Sequence, residues 1–194
     1  MRVLIACEYS GRVRDAFLSR GHEALSCDFL ATDVPGPHYQ GDVADLIEPD
    51  RWDLMIAFPP CTYLAASGMH WTTRGLRDPA LTEDALGFVK FLMEAPVPRI
   101  ALENPVGCIS SRIRKPDQYV HPWQFGHPHS KKTCLWLKNL KPLEHTKVLP
   151  LPKSGRWENQ TPSGQNNLGP KADRWKVRSM TYPGIASAMA NQWG

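Results

Sequence analysis

The five cysteines of this chain form no Cys-x-x-Cys pair, no long apolar run interrupts the sequence, no segment repeats, and neither sign of charge dominates. Each absence excludes something. An odd number of widely spaced cysteines fits neither a disulfide framework nor a zinc ribbon, which points to a reducing, cytoplasmic setting. His121, His127, His129 and Cys134 gather within fourteen residues, but their spacing matches no common zinc pattern, so no metal is expected. The apolar run Val3 to Cys7 is too short for a signal peptide. Nothing approaches the roughly 20 apolar residues of a membrane-spanning helix, so a soluble protein with no membrane partner is expected. A formal charge of +4 is compatible with a polyanionic partner and far too small to establish one.

What is present suits one domain. A chain of 194 residues with 42% apolar and 22% charged residues can bury a sizeable core, while 18 prolines and 7 tryptophans call for long, rigid loops. "RVLIAC" (2–7) reads as a buried strand, and "SGRVRDAFLSRG" follows with Val13, Ala16 and Phe17 at helical spacing, Ser10 as a cap and Gly21 as a stop. "HEALSCD", "DLMIAF", "RIALEN" and "TCLWL" read as further strands. A long loop is expected from Cys61 to about Pro79, then a helix to about Ala95 carrying Leu81, Ala85, Phe88, Val89 and Leu92 on one stripe. Residues 139–178 show no sustained period and read as an irregular arm; a short helix beginning near Pro183 closes the chain. Strands alternating with crossover helices predict an α/β, doubly wound, mostly parallel Rossmann-like sheet.

In such sheets ligands sit beyond the carboxyl ends of the strands. Those ends here are Cys7-Glu8, Asp28, Phe58-Pro59-Pro60-Cys61 and Glu103-Asn104. Two prolines fix the backbone and drive the chain out of any helix, so Cys61 is displayed on a stiff turn. A free cysteine is also a common packing residue, and an acid before a proline is also a common salt-bridged cap. The two readings stay open for each residue alone.

Taken together, strand-Pro-Pro-Cys followed by strand-Glu-Asn resembles the DNA cytosine-5 methyltransferases. The likeness runs in order along most of the chain, through "IACEYSGRVRDAF", "CD", "GDV", "FPPCTYLAASG", "ALENPVG", "HSKKTCLWL" and "YPGIASAMANQWG". It implies a small phage or prophage-type enzyme, with the arm at 139–178 in place of a full target-recognition region. It also implies S-adenosyl-L-methionine as donor, held by Cys7, Glu8, Tyr9, Ser10 and Gly11 in the first turn, by Asp28 and Phe29, by Asp42 and Val43, by Phe58 and Pro59, and by Tyr182 of the closing segment. The partner would be DNA with its target cytosine flipped out of the stack.

The family chemistry explains the residue types. A thiolate at Cys61 would add to carbon 6 of cytosine and make carbon 5 nucleophilic, while Glu103, with a raised pKa, would meet charge at ring nitrogen 3. The resemblance places Asn104 beside it, and Lys131 where the family carries an arginine reaching the base carbonyl, without the planar fork. The likeness thins elsewhere. The first turn keeps only Gly11, and Asp28 and Asp42 also read as ordinary strand-end and turn carboxylates. Arg12 and Arg14 fit either the outer face of a helix or a carboxylated donor. Arg156, Trp157, Lys171, Arg174, Trp175, Lys176 and Arg178 fit either a strand-gripping surface or a snorkelling loop. A related transferase with a modified donor or a nucleotide substrate, and a non-catalytic nucleic-acid-binding module, are the alternatives.

Overall fold

A computed structural model describes residues 1–164, 166–169 and 174–194. Strand β1 (Arg2–Ala6) lies at the centre of the sheet, and its residues Val3 to Ala6 are wholly buried. A continuous apolar run is what a parallel strand covered on both faces requires. On one side β1 pairs in parallel with β2 (Glu23–Asp28), which pairs in parallel with β3 (His38–Gln40). On the other side it pairs in parallel with β4 (Leu54–Ala57), which pairs in parallel with β5 (Ile100–Pro105). Two further strands, β6 (Gln118–Val120) and β7 (Thr133–Lys138), complete the order β3-β2-β1-β4-β5-β7-β6. The direction of winding reverses between β1 and β4, which opens a crevice at their carboxyl ends.

Alternate side chains of each strand face opposite layers. Leu4, Ala6, Met55, Ala57 and Leu102 pack toward α3 (Ala80–Glu94), whose Leu86, Val89 and Leu92 form the covering stripe. Val3, Ile5, Leu54, Ile56 and Ala101 pack toward α1 (Arg12–Leu18) and α6 (Pro183–Trp193), through Val13, Phe17, Ala188 and Met189. Phe17 has no exposed surface, so Phe17→Ala would remove about 3–5 kcal/mol of stability.

The structure adds the short strands β3 and β6 to those expected and departs from the expectations in four further places. The long loop after Cys61 contains a helix, α2 (Ala66–Thr73), none of whose residues is buried. Lacking a buried stripe, it has no apolar period to betray it. A four-residue helical turn, α4 (Ile109–Arg112), follows β5. The end of the expected irregular arm is helical, α5 (Arg174–Ser179). Arg14, read as facing either outward from the helix or toward a carboxylated donor, is wholly buried. Its guanidinium donates to Ser26 Oγ, Thr32 Oγ1 and the carbonyls of Val34 and Pro35, and pairs with Asp15 at 2.8 Å. It therefore ties α1 to the loop between β2 and β3. Among the described residues no helix is long and apolar enough to cross a membrane.

Candidate active site at the ends of β1, β4 and β5

β4 ends at Ala57 and the chain passes through half-buried Phe58 and buried Pro59 before emerging at Pro60 and Cys61, both exposed. Asn104 explains the rigidity of this turn. It is buried on β5, and its Nδ2 donates to the Pro59 carbonyl at 2.7 Å. Pro at 59 and 60 has removed two backbone donors, so the carbonyl must find its partner elsewhere. Asn104 supplies it from the neighbouring strand. The residue expected among the catalytic groups thus stands behind the turn and holds it, away from the exposed rim. A second clasp lies one turn on, where the Ala66 amide donates to the Val106 carbonyl and the Cys108 amide to the Leu64 carbonyl. Gly107 faces Leu64 so closely that an added Cβ would lie 1.9 Å from its carbonyl oxygen, so only glycine fits.

Glu103 projects from β5 into a small cavity lined also by Lys131, Thr133, Thr181 and Tyr182. β7 runs antiparallel to β5, with Glu103 opposite Leu135 and Pro105 opposite Thr133. That register puts Thr133 diagonally across from Glu103 on the same face. Burial pushes the Glu103 carboxyl well above the ordinary range, against the pull of the Lys131 ammonium and the Thr133 hydroxyl. Cys61 responds to the same neighbours. Desolvation by the surrounding protein raises its thiol pKa and Glu103 raises it further, while Lys131 and Arg178 draw it down. Thiol, carboxyl and two cations therefore share one electrostatic environment. Lys131 does not stand free: its Nζ donates to the Arg178 carbonyl at 3.0 Å.

A second cleft opens on the other side of the crevice. Cys7, Cys27, Asp28, Phe29, Gly41, Asp42, Val43, Pro60 and Phe88 line it. Of the residues expected to hold a donor, Cys7, Asp28, Phe29, Asp42 and Val43 meet here; Cys27, Gly41 and Pro60 are their neighbours within the same motifs, and Phe88 is an addition from α3. Asp28 Oδ1 accepts from the Leu30 amide and Asp42 Oδ1 from the Ala44 amide. Burial raises the Asp28 carboxyl above its ordinary value. The Phe29 ring is 72% exposed, an apolar face offered at the cleft mouth. Cys7 adopts a left-handed backbone with φ 58°, a conformation that costs a non-glycine residue energy and commonly marks a functional turn.

The remaining expected donor contacts lie elsewhere. Glu8 is buried beneath the turn, where its Oε1 accepts from Ser10 Oγ and the Val13 amide. Its Oε2 has no partner among the described residues, and burial raises its pKa. Gly11 has φ 72°, and an added Cβ would lie 2.5 Å from the Arg14 guanidinium, so the protein itself demands glycine there. Tyr9 is covered by α5: its hydroxyl shares a 2.9 Å hydrogen bond with that of Ser179, and its ring lies 5.9 Å from Trp175. Phe58 packs into the core beside α6. Tyr182 lines the Glu103 cavity and bonds His129 Nδ1 at 3.1 Å. Arg12 donates to the Thr181 carbonyl at 3.0 Å, so both arginines of the first helix are engaged by protein acceptors. Trp157 of the arm is buried and stacks on Trp123, with centroids 5.8 Å apart. That removes it from any gripping surface; Lys171 lies outside the described residues.

The chain matches no family model and no curated protein. Its likenesses are structural. One solved structure, described as a DNA modification methyltransferase encoded within a prophage (E. coli), superposes with a TM-score of 0.52 at 16% identity, over 78% of this chain and 52% of that one. The fold is that of the Rossmann-like methyltransferases. A methyltransferase of Entamoeba histolytica, EhMeth, gives a TM-score of 0.48 at 15% identity over 77% and 57% of the two chains. The 16S rRNA methylase RmtB gives 0.35 at 15% over 70% and 54%. The chain thus spans about half the length of the solved structures it matches.

Proposed function

We propose that this protein is an S-adenosylmethionine-dependent transferase that methylates carbon 5 of cytosine in DNA through a covalent bond to Cys61. The observation that carries the reading is the shared environment of an exposed Cys61 and a carboxyl, Glu103, one strand away, whose pKa burial raises. A prophage-encoded DNA modification methyltransferase among the structures of like fold supports it.

The second cleft fits the donor by the chemistry of its lining. Acceptors at Asp28 and Asp42 suit ribose hydroxyls and an adenine amino group, and the Phe29 ring suits an adenine face. When bound, S-adenosylmethionine supplies a methyl group on a positively charged sulfur. The protein does the rest at the base. Cys61 forms a bond from sulfur to carbon 6 of the ring, and electron density moves toward carbon 5 and nitrogen 3. Glu103 donates its proton toward nitrogen 3, which prevents full negative charge from building on the ring. Lys131 keeps positive charge beside both groups. Asn104 holds the Pro59 carbonyl, so the sulfur approaches the ring along one path.

Nucleoside analysis of DNA incubated with protein and labelled donor tests the reading. Label in 5-methylcytosine is expected, and Cys61→Ala should yield none. Label in another base, or undiminished labelling by Cys61→Ala, contradicts it.

A further inference from the structure

We propose that Arg178, carried on α5, is the residue that readies Cys61 for attack, supplying a guanidinium from the C-terminal arm. The proposal rests on Cys61 being the nucleophile, as argued above.

Lys131 stands in the loop just before β7, and its ammonium is held by the Arg178 carbonyl. Because Lys131 lines the Glu103 cavity, this bond places the backbone of residue 178 at the cavity mouth. α5 is anchored there from the opposite side. The Tyr9 hydroxyl bonds Ser179 Oγ at 2.9 Å, Lys176 Nζ meets Asp33 at 3.5 Å, and Arg12 reaches the Thr181 carbonyl at 3.0 Å. Three attachments on this six-residue helix and one at Thr181 just beyond it fix it across the rim, and Arg178 is its next-to-last residue.

The Arg178 side chain is exposed, and among the described residues its guanidinium has no hydrogen bond or ion pair. Its charge is therefore unspent. Cys61 needs it, because desolvation and the Glu103 carboxyl both oppose the thiolate, and Lys131 and Arg178 are the charged groups that favour it, beside a backbone hydrogen bond at Cys61 itself. Lys131 divides its charge between Glu103, Cys61 and the carbonyl it is bonded to. A guanidinium stays charged at every working pH and is more weakly hydrated than an ammonium, which suits a position at the edge of a desolvated site. Cysteines acquire reactivity beside such cations. Arg178 is thus a positioning residue that acts through the sulfur.

Site-resolved alkylation tests this. Iodoacetamide reacts with the Cys61 thiolate to give a thioether and iodide, and peptide mass spectrometry separates Cys61 from the other four cysteines. Against pH, Arg178→Gln should move the labelling midpoint up by about half a unit to one unit, which slows labelling at neutral pH about three- to tenfold. Arg178→Lys should restore most of the rate, and high salt should raise the wild-type midpoint more than that of Arg178→Gln. An unmoved midpoint in Arg178→Gln, or an equal shift in Arg178→Lys, overturns the proposal. The assay contains neither DNA nor donor. A shifted midpoint in a protein that modifies no base therefore upholds the role of Arg178 and sinks only the transferase reading.

Discussion

The cleft assigned to the donor stands at the ends of β1, β2 and β3, which run the same way, whereas the Glu103 cavity is walled by β7, which runs against β5. The polar groups of the first end or closely follow the strand that presents them: Asp28 closes β2, Cys7 follows β1 and Asp42 closely follows β3. In the second, the groups that act on one another come from separated segments: Glu103, Thr133 and Lys131 from two strands and a loop, Arg178 and Tyr182 from the arm and the closing helix. The parallel half is a local arrangement repeated strand by strand. The antiparallel half is an assembly, and its electrostatics depend on the register of β7 and the seating of α5.

If the two halves are separate devices, changes in one should leave the other's readout intact. The largest effect belongs to Cys61→Ala, which should lower transfer about a thousandfold or more while donor affinity, measured by calorimetry, stays within twofold of wild type. Next comes Asp28→Ala. Losing a charged acceptor from the donor cleft should weaken donor binding by roughly tenfold to a hundredfold. The pH profile of Cys61 labelling should not move, and a shift there would show that the clefts are coupled. Asn104→Ala strikes the boundary between the halves. It leaves the Pro59 carbonyl without its buried partner, at about 1–3 kcal/mol of stability in denaturant unfolding, and should slow transfer with little change in donor affinity.

The smallest effect concerns pH. The folded-state pKa of Glu103 is raised above its unfolded value, so the stability associated with its protonated form is fully present below the ordinary glutamate range and is lost as pH rises through the raised value. Glu103→Gln cannot titrate there. Wild type should therefore lose stability relative to Glu103→Gln on going from acid to neutral and alkaline pH, by thermal or denaturant unfolding. A difference independent of pH would show that the cavity leaves the carboxyl unperturbed.

The same contrast explains what was legible beforehand. β1, β2, β4, β5 and β7 each carry an apolar run, and Pro59-Pro60-Cys61 and Glu103 follow or end theirs, so the fold and the placement of Cys61 and Glu103 at strand ends were readable locally. β3 and β6 are three residues each, "HYQ" and "QYV", too short and too exposed to show a period. α2 buries nothing, and α5 buries nothing among its described residues, so neither has a stripe. Arg14 misled because charge at a helix surface ordinarily faces water, whereas here Gly11 and Gly36 make room for a guanidinium among backbone carbonyls. Tyr9 and Gly11, expected at the donor, also have occupations within the protein: one is capped by α5, the other accommodates Arg14. Thr133 and Arg178 act on the site through register and tertiary docking, which no single segment encodes.

One measurement bears most directly on the central claim. DNA carrying 5-fluorocytosine cannot release the proton that ends the reaction, so with donor present the protein should become covalently attached to it, and mass spectrometry should locate the attachment at Cys61. No attachment with donor present, or attachment through any other residue, would contradict the account.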